Sequence, residues 1–267
     1  MERDQLLELD ISAQKAVTDG FYLNEDGQSV EWRQQIDNAL KAKISIPPDK
    51  QLEKPTQRKF QDTEITVEND TTTSASLALV NQGKRPLALN FANGYTPGGG
   101  FLNFGCRAQE EVLCRMSALH HTLVGDPMYD SHLKEDDAGS SSWAILSPDV
   151  PVFRDDTYNP LPTPWLLSFI TCAAPEADLV GQPKSTTLLR ERIHRVLEIA
   201  ESYGYSSLVL GAWGCGAFGN NPRTTALDFK YALQNQFKEA FETVKFAVYD
   251  RSGEGENLQA FQQAFTC

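Results

Sequence analysis

The sequence predicts an α/β fold: a largely parallel central sheet sandwiched between helices, preceded by a helical N-terminal extension. Two observations carry it. From Glu64 onward, strand-like alternation and helix-like periodicity succeed one another along the chain, the pattern of an α/β sandwich. Two glycine-rich stretches, 94–100 and 211–219, each follow a strand-like run, where open α/β sheets bind their ligands.

The elements follow in order. Helical patterns run near Gln5 to Val17 and from Glu31 to Ala42, and Pro47, Pro48 and Pro55 then break the order. Residues 1–58 are therefore expected to form a helical accessory extension ending in a linking or wrapping segment, and residues 59–267 the main domain. "TEITVEN" reads as a strand, "TTTSASLALVNQG" as a threonine-capped helix stopped by Gly83, and "PLALNFAN" as a buried strand. After the first glycine loop comes a helix from about Arg107 to Leu119, with Ala108, Val112, Met116 and Leu119 as its buried stripe. "SSWAILSPDVPVF" and "PWLLSFITCAA" are strand-like. Lys184 to Tyr203 is a helix with Leu189, Ile193, Val196, Leu197 and Ala200 on one face and Gly204 as its stop. "SSLVLGAW" is a strand, "TTALDFKYALQNQFKEAF" a helix, "VKFAVYD" a strand and "NLQAFQQAF" a closing helix.

Composition narrows the function classes. At 267 residues, 40% hydrophobic and 22% charged, the chain resembles an ordinary soluble globular protein. It shows no apolar run of membrane-spanning length, and "MERDQLLELD" lacks the features of a signal peptide. The five cysteines (Cys106, Cys114, Cys172, Cys215 and Cys267) are scattered without CxxC spacing, which points to reduced thiols in a cytoplasmic setting. The net charge of −12 and the absence of a basic stripe argue against binding of duplex nucleic acid; "RERIHR" at 190–195 reads as a solvated helix face. A phosphate-bearing ligand would have to be held by local backbone donors. No partner chain is implied, and a monomer is expected.

The first loop, Gly94 to Gly100, ends in three consecutive glycines. Glycine there lets backbone N–H groups approach an anion. The second loop, "GAWGCGAFGNNP", contains Gly214-x-Gly216-x-x-Gly219, a formal dinucleotide fingerprint. That fingerprint opens a βαβ unit with further units behind it. Here only 17 residues follow Asp250, the acid that ends the next strand, so the dinucleotide reading fails on position. A second anion cradle survives, with Phe218 placed to stack against or orient a sugar. Two such cradles suit a diphosphate.

Gln109, Glu110 and Glu111 open the helix after the first loop. Acidic residues are favourable there, but beside an anion cradle they oppose a phosphate ligand unless they perform chemistry. Successive helical residues point about 100° apart, so one carboxyl can protonate a leaving oxygen while its neighbour holds a hydroxyl. The four histidines show no metal spacing, no GxSxG elbow is present, and Cys215 reads as a small residue in a tight loop. No metal and no cofactor are expected.

GGG followed after eight residues by QEE resembles the signature of the microbial-type poly(ADP-ribose) glycohydrolases of the macrodomain superfamily. "LNFANGYTPGGG", "SPDVPVFRDD" and "LGAWGCGAFGNNP" agree, and the resemblance covers about residues 60–265. It implies a macrodomain-like three-layer α/β/α sandwich with a mixed sheet, and ADP-ribose units of poly(ADP-ribose) on modified proteins as the partner. It further implies that Gly98, Gly99 and Gly100 approach the diphosphate, that Gln109, Glu110 and Asn93 lie at the distal ribose, and that Glu111 is the catalytic acid. Gly214, Cys215, Gly216, Ala217 and Phe218 would form the second phosphate loop.

Hydrolysis of a ribose–ribose bond passes through an oxocarbenium-like state and needs a proton on the leaving oxygen. A glutamate supplies it near neutral pH when burial or a neighbouring carboxylate favours its protonated form, and Glu110 is that neighbour. Release of ADP-ribose from chain ends is the expected outcome. A mono-ADP-ribosyl-protein hydrolase and an inert ADP-ribose reader are the alternatives, the second opposed by the intact QEE.

Overall fold

The computed structural model describes every residue except 54, 56, 57, 59, 136, 137, 251, 252, 254 and 267. The chain opens with helix α1 (Arg3–Asp19), followed by the small antiparallel hairpin β1 (Phe21–Leu23) and β2 (Ser29–Glu31). Helix α2 (Arg33–Ala42) leads into β3 (Ile44–Ile46). Then come β4 (Glu64–Glu68), α3 (Thr72–Asn81), capped by Thr71 Oγ1 accepting from Ser74 N–H, and β5 (Pro86–Ala92). Helices α4 (Gln109–Met116), α5 (Leu119–Leu123) and α6 (Pro127–Glu135) precede the antiparallel pair β6 (Ala144–Arg154) and β7 (Pro160–Ala173). The remainder is α7 (Ala177–Val180), α8 (Lys184–Ser202), β8 (Ser207–Leu210), α9 (Pro222–Gln234), β9 (Thr243–Ala247) and α10 (Glu256–Phe265).

Seven strands form the central sheet in the order β3-β6-β7-β5-β8-β9-β4. Strands β7, β5, β8, β9 and β4 pair in parallel, while near one edge β6 pairs antiparallel with both β7 and the edge strand β3. One face is covered by α8, α9 and α10 through residues such as Ile193, Val196, Phe229 and Phe261. The other is covered by α1 to α5, through Ala13, Val17, Trp32, Ile36, Leu79, Leu113 and Leu119. The result is the expected three-layer sandwich with a mixed, largely parallel sheet. Among the described residues, no helix is long and apolar enough to cross a membrane.

The extension does more than append. β3 supplies an edge strand of the main sheet, and α1 and α2 bury their apolar faces in the same cluster as Ala88 of β5 and Phe169 of β7. Residues 1–46 share one core with the rest.

Two helices end earlier than expected, each for a physical reason. The helix expected over 107–119 breaks at Ser117, whose backbone is extended at φ −143°. There the chain is captured by β6: Ser117 bridges Val152 and Ala118 N–H donates to Pro151 O at 3.0 Å. The expected stripe is only half right, since Met116 and Leu119 are buried but Ala108 is exposed and Val112 half-buried. The helix expected to reach Phe241 stops at Gln234, and the buried rings of Phe237 and Phe241 close that end by packing. Helix α6 was not expected. Cys267 lies outside the described residues; the four described cysteines are free thiols.

Candidate active site

The site begins where β5 leaves the centre of the sheet. Leu87 to Asn90 are fully buried, which fixes the position of the exit. Asn93 then turns the chain: its Oδ1 accepts from the N–H groups of Tyr95 (2.8 Å) and Thr96 (2.9 Å). Gly98 and Gly99 take left-handed φ values of +71° and +57°, and both also lack room for a side chain. A Cβ on Gly99 would lie 2.6 Å from Glu111 Oε1 and 3.1 Å from Glu110 Oε2; one on Gly98 would lie 2.9 Å from His120 Cδ2. The triple glycine exists because the backbone runs directly over two carboxylates.

Two of its N–H groups are committed: Gly99 donates to Thr96 O at 2.9 Å and Gly100 to Glu111 Oε1 at 2.7 Å. The expected diphosphate role of Gly98, Gly99 and Gly100 therefore meets two amides already spent on Glu111 and on the turn itself. In this structure the loop is a cradle for the protein's own carboxyls.

Helix α4 presents its first turn beneath that loop. Gln109 stitches the helix to β5, with Oε1 accepting from Phe91 N–H (2.9 Å) and Nε2 donating to Leu89 O (2.8 Å) and Thr72 Oγ1 (3.1 Å). Its amide is fully engaged. Glu110, 3% exposed, accepts from Asn93 N–H at 2.7 Å and Asn90 Nδ2 at 3.2 Å. Burial outweighs these donors and, with the charge of Glu111 adding to it, pushes the Glu110 carboxyl up to about 8. Burial thus favours the protonated form of Glu110. Glu111 is 7% exposed. Its Oε1 is held by Gly100, and its Oε2 is buried without a hydrogen-bond partner among the described residues.

The second loop is built in the opposite sense. Asn220, buried behind it, donates to Pro175 O (2.8 Å) and Gly214 O (3.1 Å) and accepts from Ser185 Oγ (2.6 Å). Asn221 caps α9 by accepting from the N–H groups of Arg223 and Thr224. Among the described residues, the N–H groups of Gly216, Ala217 and Phe218 make no hydrogen bond. A Cβ on Gly216 would meet nothing within 4 Å. Cys215 points inward, its Sγ 3.5 Å from Trp213 O and its thiol pushed up to about 11, chiefly by burial. It is a packing residue here.

A cleft of about 520 Å³ lies between the start of α4 and the second loop; Asn93, Gly98 to Gly100, Glu110, Glu111 and Cys215 are not among the residues that line it. Ala108, Gln109 and Val112 of α4, Phe91 and Ala92 of β5, and Gly214, Gly216, Ala217 and Phe218 of the second loop line it. This explains why Ala108 and Val112 are not buried: they face the cleft. Among the described residues, no cluster of histidine, cysteine and acidic side chains could hold a metal ion.

Two histidines that the sequence left without a part support the first loop. His120 packs on Phe101 (4.9 Å between ring centres) and beneath Gly98, and its pKa is lowered to about 4 by burial and His121. His132 is buried, with Nδ1 2.8 Å from Gly94 O and Nε2 2.6 Å from Ser141 Oγ. Their role depends on helix packing, for which no spacing signal exists.

A family model described as microbial-type PARG, catalytic domain, matches residues 12–155. No curated protein sequence matches the chain. Poly(ADP-ribose) glycohydrolase from Thermomonospora curvata is 33% identical, with a TM-score of 0.93 over 98% of this chain and 100% of that one. The same enzyme bound to the inhibitor ADP-HPD is similar at 32% identity, a TM-score of 0.90 and the same coverage. The Deinococcus radiodurans enzyme in complex with ADP-ribose is 35% identical, with a TM-score of 0.79 over 86% of this chain and 96% of that one. With its fold, its glycine-held glutamates and these matches, the chain belongs to the microbial-type poly(ADP-ribose) glycohydrolase family.

Proposed function

We propose that the protein hydrolyses the ribose–ribose O-glycosidic bonds of poly(ADP-ribose) and releases ADP-ribose, with Glu111 as general acid. The observation that carries this reading is the asymmetry of the Glu111 carboxyl. Oε1 accepts from Gly100 N–H, whereas Oε2 is buried and unpartnered. A buried polar atom without a partner is costly. A proton on Oε2, handed to a bound ligand, is the arrangement that uses it.

The step balances simply. The ribose C1″–O bond breaks as Oε2 delivers its proton to the departing oxygen. Water adds its hydroxide to C1″, and its remaining proton returns to Glu111. Protonated Glu110 keeps the site from carrying two negative charges beside a diphosphate. The free N–H groups of Gly216 to Phe218, with the N-terminus of α9 close by in sequence, are the donors for that diphosphate, whose charge supports the oxocarbenium ion. Phe218 packs against the sugar. The extension belongs to the working unit, since its helices complete the core beneath α4.

The test is to supply purified poly(ADP-ribose) and a mono-ADP-ribosylated protein separately and follow free ADP-ribose. The proposal expects release from polymer. Release from the mono-modified protein alone would make it a mono-ADP-ribosyl hydrolase, and tight ADP-ribose binding without release from either would make it a reader.

A further inference from the structure

Helix α4 has only eight residues, no side-chain cap at Ala108 and an abrupt end at Ser117. Something outside must hold it. At its N-terminal end Gln109 does so. One turn after Glu111, on the same helix, stands Arg115, and its partner is Asp10 of α1, 105 residues earlier. Arg115 Nε lies 2.6 Å from Asp10 Oδ1, and Nη2 donates both to Asp10 Oδ2 (3.1 Å) and to Cys106 O (2.9 Å). Both side chains are 0% exposed.

That geometry reaches the acid. Cys106 belongs to the loop that starts at Gly100, and its Sγ lies 2.7 Å from where a Gly100 Cβ would be. The same guanidinium that binds Asp10 therefore fixes the far end of the loop whose near end donates to Glu111 Oε1. It also lies 5.3 Å from the ring centre of Tyr158, a residue on the cleft wall. α1 touches this loop elsewhere too, through Arg3 Nε donating to Phe104 O at 2.5 Å.

A buried ion pair is weak support for stability, because burying both charges costs about what their attraction returns, and apolar residues of similar size often serve as well. Stability alone is a poor reason for this one. We propose that Asp10 and Arg115 are positioning residues for the reaction: the pair locks the Cys106 carbonyl and thereby holds Gly100 N–H on Glu111. This rests on the reading of Glu111 as the acid.

The discriminating variant removes both charges at once, Asp10→Leu with Arg115→Met, so that the net charge of the buried cluster, which also holds Arg154, is unchanged. Expected are a melting temperature and ADP-ribose affinity near those of the wild type, turnover of poly(ADP-ribose) reduced at least about tenfold, and faster hydrogen exchange at the Gly100 amide. A stable double variant with wild-type turnover and wild-type exchange would overturn the proposal. If the double variant does not fold, Arg115→Lys, which keeps the charge but not the forked donor, gives the same readouts, and unchanged turnover and exchange would overturn it. The exchange measurement needs no substrate, so it decides the positioning claim even if wild-type protein fails to release ADP-ribose, the result that would instead sink the proposed function.

Discussion

Glu110 and Glu111 are neighbours in sequence with opposite surroundings. Glu110 takes N–H donors on both oxygens and is still pushed up to about 8 by its burial. The folded state thus keeps a proton that the unfolded chain, with its ordinary carboxyl near 4.5, gives up. Such a group stabilises fully below the unfolded value, and its contribution is lost as pH rises toward 8. Between pH 6.5 and 8, wild-type melting temperature should therefore fall relative to that of Glu110→Gln. Thermal scans across that window check it; parallel slopes would contradict a protonated Glu110. His120 and His132, lowered by burial, shift stability the other way at lower pH and cancel in the comparison. The pairing of GGG with QEE was legible in the sequence. Which carboxyl holds its proton was not, because that depends on Asn90 and Asn93, some 20 residues away, and on how deeply the helix is buried.

At the scale of elements, the two glycine loops do different work although they look alike as strings. In the first, glycine is demanded beside the carboxylates, at Gly99; in the second, Gly214 and Gly219 also take left-handed φ values but Gly216 faces open space. Gly99→Ala should cost about 1–2 kcal/mol from the left-handed φ alone, more with its Cβ pressed on Glu111, and lower the melting temperature by at least ~3 °C. Gly216→Glu should leave melting unchanged and weaken ADP-ribose binding at least ~tenfold by setting a carboxylate against the diphosphate. Differential scanning fluorimetry and calorimetry on both variants check the contrast, and equal binding loss with equal destabilisation would contradict it. Composition marks both loops as glycine-rich, but only coordinates tell which N–H groups are already spent. The same limit hid the break at Ser117, where pairing with Val152 overrides helical periodicity.

For the whole molecule, the alternation of strands and helices was enough to specify an α/β sandwich with a largely parallel sheet, and the resemblance to the family added its mixed character. The alternation could not show that β3 closes the sheet edge or that α1 reaches the loop that starts at Gly100, since both are long-range contacts made by an extension whose own sequence pattern is merely helical. The account assigns every chemical role to side chains, backbone and substrate, so turnover should survive a chelator such as EDTA unchanged; loss restored by magnesium would contradict that. In the reaction we propose, Glu111, held by Gly100 and free at Oε2, delivers the proton. The direct measurement is single-turnover release of ADP-ribose from poly(ADP-ribose) by wild type and Glu111→Gln, with ADP-ribose affinity determined on both. The account predicts affinity within a few fold and release slowed by at least ~10²-fold, the scale of general acid catalysis. Release at the wild-type rate by a folded, ligand-binding Glu111→Gln would contradict it.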